Sequence, residues 1–471
     1  MNAMRAKGLL RYAGCRAVVV GLGKTGVSAA RYLAAEGASV AVTDSRADPP
    51  GRAGLAASGV PALVRTGGFD ATLLEGADLL VLSPGVAPTG AFFEAARERG
   101  LPMVGDIELF AHAARAPVAA ITGTNGKSTV TTLLGQMAAR AGRAVRVGGN
   151  LGAPALELLD GAAELYVLEL SSFQLECTES LRLAAAAVLN VSPDHLDRYA
   201  DLAAYAAAKA RIFAHCELAV INRDDALVRA MPPAGQPRLS FSLRADAGAD
   251  YGLAERDGHS WLMAHGEPLL PLAQLRIAGL HNAANALAAL ALGEALALPR
   301  EACVAALRDF AGLPHRMQWV ADVRGVRYID DSKGTNVGAT LAAVRGLTDA
   351  AAGATAGAAA AAPAPAPARL IVIAGGEGKG QDFAPLRAGL AGRVRCALLI
   401  GRDAQRLGAA LAGACACEYC ASLPAAVARA AQLAQPGDTV LLSPACASLD
   451  MFRDYAHRGD SFAQAVRELA A

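Results

Sequence analysis

The chain has 471 residues, of which 54% are hydrophobic and 18% charged, and its 44 basic and 43 acidic residues give a net charge of +1. This length predicts about three domains of roughly 150 residues. The charge balance gives no electrostatic case for a nucleic-acid or anionic-membrane partner. No signal-peptide pattern and no unbroken apolar run of about 18 residues is present, and the nine scattered cysteines suit reduced thiols. We therefore expect a cytoplasmic protein with no nucleic-acid or membrane partner.

In chain order, short β-rich runs alternate with Ala- and Leu-rich helical stretches. Continuous apolar strands between helices are typical of parallel sheets covered on both faces, so the predicted fold class is α/β with mostly parallel sheets flanked by helices. The predicted strands are Ala17–Val20, Ser39–Thr43, Asp78–Leu82, Val118–Ile121, Leu165–Leu170, Ala186–Asn190, Leu218–Asn222, Leu370–Ala374, Cys396–Ile400 and Thr439–Leu442. The predicted helices include Ile107–Ala114, Val130–Arg140 and Arg300–Phe310.

The alternating pattern is interrupted at two positions, one near residues 101–106 and one near residues 312–314. They predict domains at 1–104, 105–312 and 313–471. A low-complexity Ala/Pro segment, 349–368, interrupts the third domain. Because this composition cannot bury a core, we predict a mobile surface loop without a function of its own.

The first glycine-rich turn is VVVGLGKTG (18–26), which fits G-x-G-x-x-G between a strand and a helix. Gly21 permits a tight turn, Gly23 lets a pyrophosphate approach the backbone, and Gly26 allows close helix packing. Asp44, after the next strand, lies where an acidic residue meets a ribose hydroxyl. The pattern alone leaves open NAD, another diphosphate ligand such as UDP, or a purely structural turn.

The second such turn is ITGTNGKSTV (121–130), which resembles a P-loop although Ile121 replaces the first glycine of the strict pattern. Its backbone N–H groups form an anion nest, and Lys127 can reach terminal phosphates. Ser128 or Thr129 can hold Mg²⁺, and the following helix directs its positive end at the phosphates. An ordinary strand-to-helix turn is the alternative, but such a turn has no use for Lys, Ser and Thr beside two glycines.

Eight ordered motifs carry a family resemblance: GTNGKS (123–128), VGGN (147–150), LELSSFQL (168–175), NVSPDHLDR (190–198), GLHNAANALAA (279–289), LPHR (313–316), DDSKGTN (330–336) and SPACASLDMF (443–452). They resemble the Mur ligases of peptidoglycan synthesis over nearly the whole chain. The resemblance implies a Rossmann-like UDP-substrate domain, a central P-loop-type ATPase domain and a Rossmann-like amino-acid domain.

The same resemblance implies the reaction. A monomer would use ATP to add D-glutamate to UDP-N-acetylmuramoyl-L-alanine through an acyl phosphate. A sibling ligase for a different amino acid is the alternative, although the Asn-Pro-Arg signature of the diaminopimelate-adding enzymes is absent. A nicotinamide oxidoreductase and a non-enzymatic nucleotide-binding regulator are the more distant alternatives.

The resemblance further implies site residues, grouped by ligand. The ATP site would comprise Gly123, Thr124, Asn125, Gly126, Lys127, Ser128, Thr129, Asn282, Asn285, Arg316 and Asp331. The UDP-substrate site would comprise Gly23, Lys24, Thr25, Asp44, Ser45, Arg46, Ser83, Asn150 and Ser171. The D-glutamate site would comprise Lys333, Thr335, Lys379 and Ser448. The catalytic residues would be Lys127, His195 and Lys209.

Two Mg²⁺ ions are implied, with Ser128, Glu169, His195 and Lys209 as their ligands. Glu169 ends an apolar strand, where a carboxylate without a cation would be costly. His195 alone would be read as a structural histidine. Lys209 is a cation and cannot bind Mg²⁺, so the resemblance implies that CO₂ carboxylates its amine.

The cysteines offer two further candidates. Cys446 could be a nucleophile, but no histidine is adjacent in the sequence and we interpret it as a packing residue. The cluster Cys415, Cys417 and Cys420 could bind a metal. It lacks a second Cys/His pair at a useful distance, so we interpret it as structural.

Overall fold

A computed structural model describes residues 12–277, 279–355 and 370–470.

The first unit is a parallel sheet at the start of the chain. The five strands have the order β3-β2-β1-β4-β5. The elements are β1 (Arg16–Val20), α1 (Lys24–Ala35), β2 (Ser39–Asp44), α2 (Arg52–Ala57), β3 (Ala62–Thr66), β4 (Leu79–Leu82), α3 (Ala91–Glu98) and β5 (Met103–Gly105). Strand order reverses on either side of β1, which places a ligand crevice at its carboxyl end.

The second unit contains a nine-stranded sheet of order β14-β13-β12-β11-β10-β9-β6-β8-β7. Strands β6 to β12 pair in parallel, and β12, β13 and β14 form an antiparallel meander at one edge. The elements are α4 (Asp106–Ala113), β6 (Val118–Thr122), α5 (Lys127–Arg140), β7 (Val145–Gly149), β8 (Leu165–Glu169), α6 (Ser172–Glu176), β9 (Leu183–Val188), α7 (Leu202–Ala210), β10 (Cys216–Asn222), α8 (Ala226–Arg229), β11 (Arg238–Phe241), β12 (Tyr251–Arg256), β13 (His259–Ala264), β14 (Glu267–Pro271), α9 (Leu280–Ala295) and α10 (Arg300–Asp309).

The third unit contains a six-stranded sheet of order β15-β16-β20-β17-β18-β19, in which only the β15–β16 hairpin is antiparallel. Its elements are β15 (Gln318–Val323), β16 (Val326–Asp330), α11 (Val337–Thr355), β17 (Leu370–Gly375), α12 (Ala384–Leu390), β18 (Val394–Ile400), α13 (Ala404–Leu411), β19 (Ala416–Tyr419), α14 (Leu423–Leu433), β20 (Thr439–Leu442) and α15 (Tyr455–Ala470).

The predicted α/β class is confirmed, because each unit has a mostly parallel sheet with helices packed against it. Strands β6, β8 and β17 are buried along their whole length, which is why they read as continuous apolar runs. The N-termini of α7 and α14 are capped as their sequences predict, since the side chains of Asp201 and Ser422 accept hydrogen bonds from backbone N–H groups of the first helical turn. The boundaries at 104/105 and 312/313 stay predictions.

Three expectations need correction. The helix predicted over Val130–Arg140 begins at Lys127, because Gly126 has a left-handed backbone and ends the loop there. The predicted strand Ala186–Asn190 lies at Leu183–Val188. The loop predicted over 349–368 is helical as far as residue 355, as the end of α11, and its remainder lies outside the described residues.

The cysteines agree with the expectation of reduced thiols, since all nine are free. Cys446 is fully buried in the core of the third unit, which confirms it as a packing residue. Among the helices of the described residues, none is both long and apolar enough to cross a membrane.

Candidate active site

The first glycine turn has the tight geometry that its sequence predicts. Gly21 has φ of 95°, and a Cβ on Gly26 would overlap the carbonyl oxygen of Gly21. Both positions therefore need glycine. Ser83, at the end of β4, donates a hydrogen bond from Oγ to the same carbonyl at 2.8 Å. Lys24 begins α1 and is exposed beside the turn.

Asp44 holds this turn from the end of β2. Its Oδ2 accepts a hydrogen bond from the backbone N–H of Leu22 at 2.7 Å, and the Arg46 guanidinium donates to both carboxylate oxygens at 2.9 and 2.7 Å. Burial opposes the charge, but the bonds from Arg46 and Leu22 outweigh it and lower the pKa of Asp44 to about 2. The carboxylate therefore stays ionised and fixes the turn, and its predicted contact with uridine stays a prediction.

The second glycine turn lies at the carboxyl end of β6. Gly123 and Gly126 have φ of 147° and 86°, which brings successive N–H groups to the start of α5. The Lys127 ammonium donates to the carbonyl oxygens of Gly123 and Thr124, both at 3.0 Å. Burial lowers the pKa of Lys127, while Glu169 and Asp194 counteract that effect.

Glu169 is a buried carboxylate at the end of β8, with 3% of its surface exposed. Its Oε1 accepts a hydrogen bond from the Asn150 amide at 2.7 Å, whereas its buried Oε2 has no hydrogen-bond partner. Burial disfavours the charged form, but the charge of Lys127 and the nearby Ser128 hydroxyl lower its pKa below the usual value. An ionised carboxylate with a free oxygen beside a phosphate nest suits a bound cation.

His195 and Lys209 lie on the loop and helix that follow β9. The His195 ring packs edge-on against Phe173, with centroids 4.9 Å apart. Lys209 is 1% exposed, and its ammonium donates to the carbonyl of Gly123 at 2.9 Å and lies 4.3 Å from the Tyr205 ring centroid. Burial lowers the pKa of Lys209 well below its ordinary value.

Helix α9 brings two asparagines to the P-loop. Asn285 donates to the Oδ1 of Asn282 at 3.2 Å, and both are buried. A Cβ on Gly126 would overlap the Asn285 amide oxygen. The predicted nucleotide residues of α9 therefore meet the predicted phosphate loop. Ser171 instead caps α6 through reciprocal hydrogen bonds with Gln174.

Residues of the third unit complete the same site. Arg316 donates to the Ser128 hydroxyl at 2.7 Å, and burial lowers its pKa. Asp331 accepts a hydrogen bond from Ser443 at 2.8 Å, and burial raises its pKa to about 7. The Lys379 ammonium lies 2.5 Å from Asp194 of the second unit. Arg316 and Ser128, which are 188 positions apart in the chain, thus meet at the P-loop.

The predicted amino-acid residues all lie in the third unit, where Lys333 is affected by the charges of Arg316, Lys127 and Lys379. Lys333 lies 3.9 Å above the Tyr455 ring, and burial lowers its pKa to about 8. The backbone N–H of Thr335 donates to the carbonyl of Lys333 at 2.8 Å. Ser448 is buried on the loop after β20. By contrast, Gly23, Lys24 and Thr25 lie at the first turn, and Ser45 and Arg46 follow β2, both at the carboxyl end of the first sheet.

Three residues at the site were not assigned from the sequence. Asp194 and Asn336 occur within the quoted motifs, and their positions there are the signal that could have found them. Arg458 is 1% exposed within α15 and donates to the carbonyl oxygens of Ser332 and Cys446 at 2.8 and 3.2 Å. It links two site loops, yet a helical arginine carries no sequence signal for burial.

Comparison with known proteins covers almost the whole chain. Three family models match in order: the Mur ligase MurD-like N-terminal domain at residues 15–105, the Mur ligase middle domain at 121–293, and the Mur ligase glutamate ligase domain at 315–446. Proteins named UDP-N-acetylmuramoylalanine--D-glutamate ligase from Nitrosococcus oceani and Methylobacillus flagellatus are 54% and 52% identical, over 96% of both chains in each case.

Solved structures share the fold at much lower identity. UDP-N-acetylmuramate-alanine ligase from Thermotoga maritima matches with a TM-score of 0.61 and 19% identity, over 96% of this chain and 99% of that chain. The MurF ligase of Thermotoga maritima in complex with ADP matches with a TM-score of 0.60 and 17% identity, over 98% and 99%. With three matching domain models and relatives above half identity over 96% of its length, the chain belongs to the Mur ligase family.

Proposed function

We propose that the chain is an ATP-dependent ligase that joins D-glutamate to UDP-N-acetylmuramoyl-L-alanine in peptidoglycan precursor synthesis. The observation that carries this proposal is the convergence at one P-loop of Lys127 and Glu169 from the second unit and Arg316 from the third. The names of the full-length relatives supply the two substrates.

The nucleotide would lie with its phosphates on the nest at Gly123–Ser128. Lys127, bonded to the carbonyls of Gly123 and Thr124, and Arg316, bonded to Ser128, supply positive charge at that loop. Negative charge gathers there as the terminal phosphate moves to the substrate carboxylate. The planar guanidinium of Arg316 can bind two phosphate oxygens at once. Asn282, Asn285 and Asp331 would hold the rest of the nucleotide.

Magnesium fits the residues present. Glu169 has a buried Oε2 without a hydrogen-bond partner and lies near Ser128, and Mg²⁺ prefers oxygen ligands of this kind. In the described ranges, no group of three or more His, Cys, Asp or Glu residues could hold a metal by itself, and Mg²⁺ takes most of its ligands from phosphates and water. When bound, it neutralises phosphate charge. We propose His195 and Lys209 as residues of a second Mg²⁺ site.

Lys209 would serve that site as a carbamate. Its amine is buried and held against the carbonyl of Gly123. The ammonium first gives up one proton to solvent, and the free-base amine then attacks the carbon of CO₂ and releases a second proton. A cation thereby becomes an anion with two oxygen donors, which is the ligand type that Mg²⁺ requires.

The UDP part of the acceptor would bind at the first glycine turn. A Cβ on Gly23 would meet no atom within 4 Å, so the turn leaves room for a diphosphate against the backbone. Lys24 and Thr25 begin α1, whose positive end favours phosphate. Ser45, Arg46 and Ser83 flank the same crevice, and Asn150 and Ser171 flank Glu169, where the reacting carboxylate would arrive.

D-Glutamate would bind in the third unit. Its two carboxylates need cations and hydroxyls, which Lys333, Lys379, Thr335 and Ser448 supply. The amine of D-glutamate attacks the acyl phosphate, the carbonyl becomes tetrahedral, and inorganic phosphate leaves with the C–O bond electrons. The cations around the P-loop stabilise the anions of both steps.

The test is a phosphate-release assay with Mg²⁺, ATP, UDP-N-acetylmuramoyl-L-alanine and a panel of L- and D-amino acids. We expect phosphate only with D-glutamate, and none when the UDP substrate is omitted. Activity with another amino acid alone would make the chain a sibling ligase, and nucleotide binding without phosphate release would make it a regulator. A change in NADH fluorescence on titration would point to an oxidoreductase.

We further propose that the chain acts as a monomer in the cytoplasm. All three groups of candidate ligand residues come from one chain, and its substrate is a water-soluble nucleotide sugar. Size-exclusion chromatography with light scattering tests the monomer, since a dimer would double the mass.

A further inference from the structure

A pair of asparagines joins the P-loop to the third unit. The Asn125 amide donates to Oδ1 of Asn336 at 3.2 Å, and the Asn336 amide donates back to Oδ1 of Asn125 at 3.0 Å. The two residues are 211 positions apart in the chain. Reciprocal amide pairing satisfies a donor and an acceptor on each side, so it fixes both orientations.

Asn336 makes two further contacts. Its Oδ1 accepts from the backbone N–H of Ala339 at 2.8 Å, which caps the start of α11, and its amide also donates to Oδ2 of Asp194 at 3.3 Å. The other oxygen of Asp194 faces Lys379 at 2.5 Å. Asn336 is 2% exposed. One buried amide therefore links the P-loop, Asp194 and, through Asp194, a candidate amino-acid lysine.

The P-loop end of this connection is also fixed. The backbone N–H of Asn125 donates to Oδ1 of Asn190 at 2.9 Å, and the Asn190 amide donates to the Asn125 carbonyl at 3.0 Å. Gly126 and Lys127 follow directly in the chain. A displacement of Asn125 would therefore alter the phosphate nest itself.

We propose that Asn336 is a positioning residue that couples nucleotide binding at the P-loop to amino-acid binding in the third unit. This rests on the proposed function for the identity of the two ligands. The connection runs from Asn125 through Asn336 and Asp194 to Lys379. A nucleotide that orders the P-loop fixes Lys379 in the amino-acid pocket, and by linkage the amino acid strengthens nucleotide binding by the same factor.

The variants separate this role from helix capping. Asn336→Ser keeps a hydroxyl that can cap α11 but is too short to reach Asn125 and Asp194. Asn336→Asp keeps the length and the cap but loses both amide donors. Ser422→Ala is the matched control, because it removes the cap of α14, which carries none of the proposed ligand residues.

The experiment measures the affinity for a non-hydrolysable ATP analogue with Mg²⁺ by calorimetry, and the KM for D-glutamate in the full chain. Each Asn336 variant should raise that KM about fivefold to tenfold and weaken nucleotide binding about threefold, and Asn336→Ser should also lower the melting temperature, because buried partners lose their hydrogen bonds. Asn125→Ala combined with Asn336→Ser should weaken nucleotide binding no more than the more damaging single change. Ser422→Ala should lower the melting temperature and leave both constants unchanged.

Wild-type affinities in both Asn336 variants would overturn the proposal, as would single effects on nucleotide binding that multiply in the double variant. The proposed function fails separately, if the wild type releases phosphate with an amino acid other than D-glutamate. The calorimetric comparison does not depend on that outcome, because it uses only the nucleotide analogue.

Discussion

The two glycine-rich turns begin from the same physics and end as different sites. Each follows a buried parallel strand, has at least one glycine with positive φ, and begins a helix with a lysine. In the first turn, Lys24 is exposed and Asp44 is satisfied by Leu22 and Arg46. In the second, Lys127 is surrounded by charged groups, and a carboxylate oxygen of Glu169 remains unpartnered.

This difference distinguishes a site that binds a phosphate from a site that transfers one. A backbone nest at a helix end binds a diphosphate without further help. Transfer also needs cations that neutralise charge as it develops, and an anchor for Mg²⁺. Only the second turn has such groups around it, some of them from the third unit. The first turn would bind the UDP substrate and take no part in the chemistry.

The largest effect should come from Lys127→Ala. Loss of the buried ammonium beside the nest should reduce phosphate release by about 10³-fold. Binding of the UDP substrate, measured by calorimetry, should stay unchanged because its site is at the other turn. The matched change Lys24→Ala should raise the KM for the UDP substrate about threefold and spare kcat. Loss of both UDP-substrate binding and phosphate release in Lys127→Ala would contradict this division.

Glu169→Gln should have the next largest effect. The amide keeps the shape and the contact with Asn150 but removes the charge that anchors Mg²⁺. We expect kcat to fall about 10²-fold and the Mg²⁺ concentration for half-maximal activity to rise. Calorimetric Mg²⁺ titration in the presence of an ATP analogue should show the same weakening. An unchanged Mg²⁺ requirement would mean that Glu169 has only a structural role.

Two glycines of the first turn should separate an effect on stability from an effect on UDP-substrate binding. Gly26→Ala places a methyl group against the Gly21 carbonyl and should lower the free energy of unfolding by about 1–3 kcal/mol. Gly23→Ala meets no atom within 4 Å and has φ of −97°, so stability should be unaffected. Its methyl group would instead occupy the diphosphate position and weaken UDP-substrate binding about tenfold. Urea denaturation and calorimetry distinguish the two, and full UDP-substrate affinity in Gly23→Ala would argue against a diphosphate at this turn.

How much of the fold the sequence predicts depends on burial. Strands such as β6 and β17 are buried on both faces and read as unbroken apolar runs. β3 alternates between partly exposed and exposed residues, and β12 to β14 form an edge meander. Those strands lack a continuous signal in the sequence. The first turn of α5 also lacks one, because the helix starts directly after Gly126, whose left-handed backbone is seen only in the structure.

The residues of the candidate site also fall into two groups: those that local sequence motifs predict and those that only the tertiary structure brings together. Local motifs place Lys127, Glu169 and Lys333 at or next to strand-to-helix connections, because a strand end followed by a helix is readable from the sequence. The pairing of Asn125 with Asn336 across 211 positions is a tertiary contact that no local pattern encodes. Burial of Arg458 is similar, since its cost is offset by carbonyl oxygens of two distant loops.

The smallest effect should be a pH dependence in the third unit. His315 precedes Arg316, and its Nδ1 lies 2.7 Å from Oδ2 of Asp330. This hydrogen bond to Asp330 raises the pKa of His315 above its usual value. The stabilisation is therefore complete below about pH 6.5, the ordinary histidine pKa, and is lost as pH rises through the folded value. At the first turn, the pKa of Asp44 of about 2 predicts no comparable change.

His315→Asn removes the titrating imidazole without straining the backbone, because asparagine tolerates the left-handed φ of 60° at this position. The stability difference between wild type and variant, from urea denaturation, should be about 1 kcal/mol larger at pH 5.5 than at pH 8.5. UDP-substrate affinity should not change between those values, because Asp44 stays ionised. A stability difference that is constant, or that grows as pH rises, would show that the imidazolium form is not the one Asp330 stabilises.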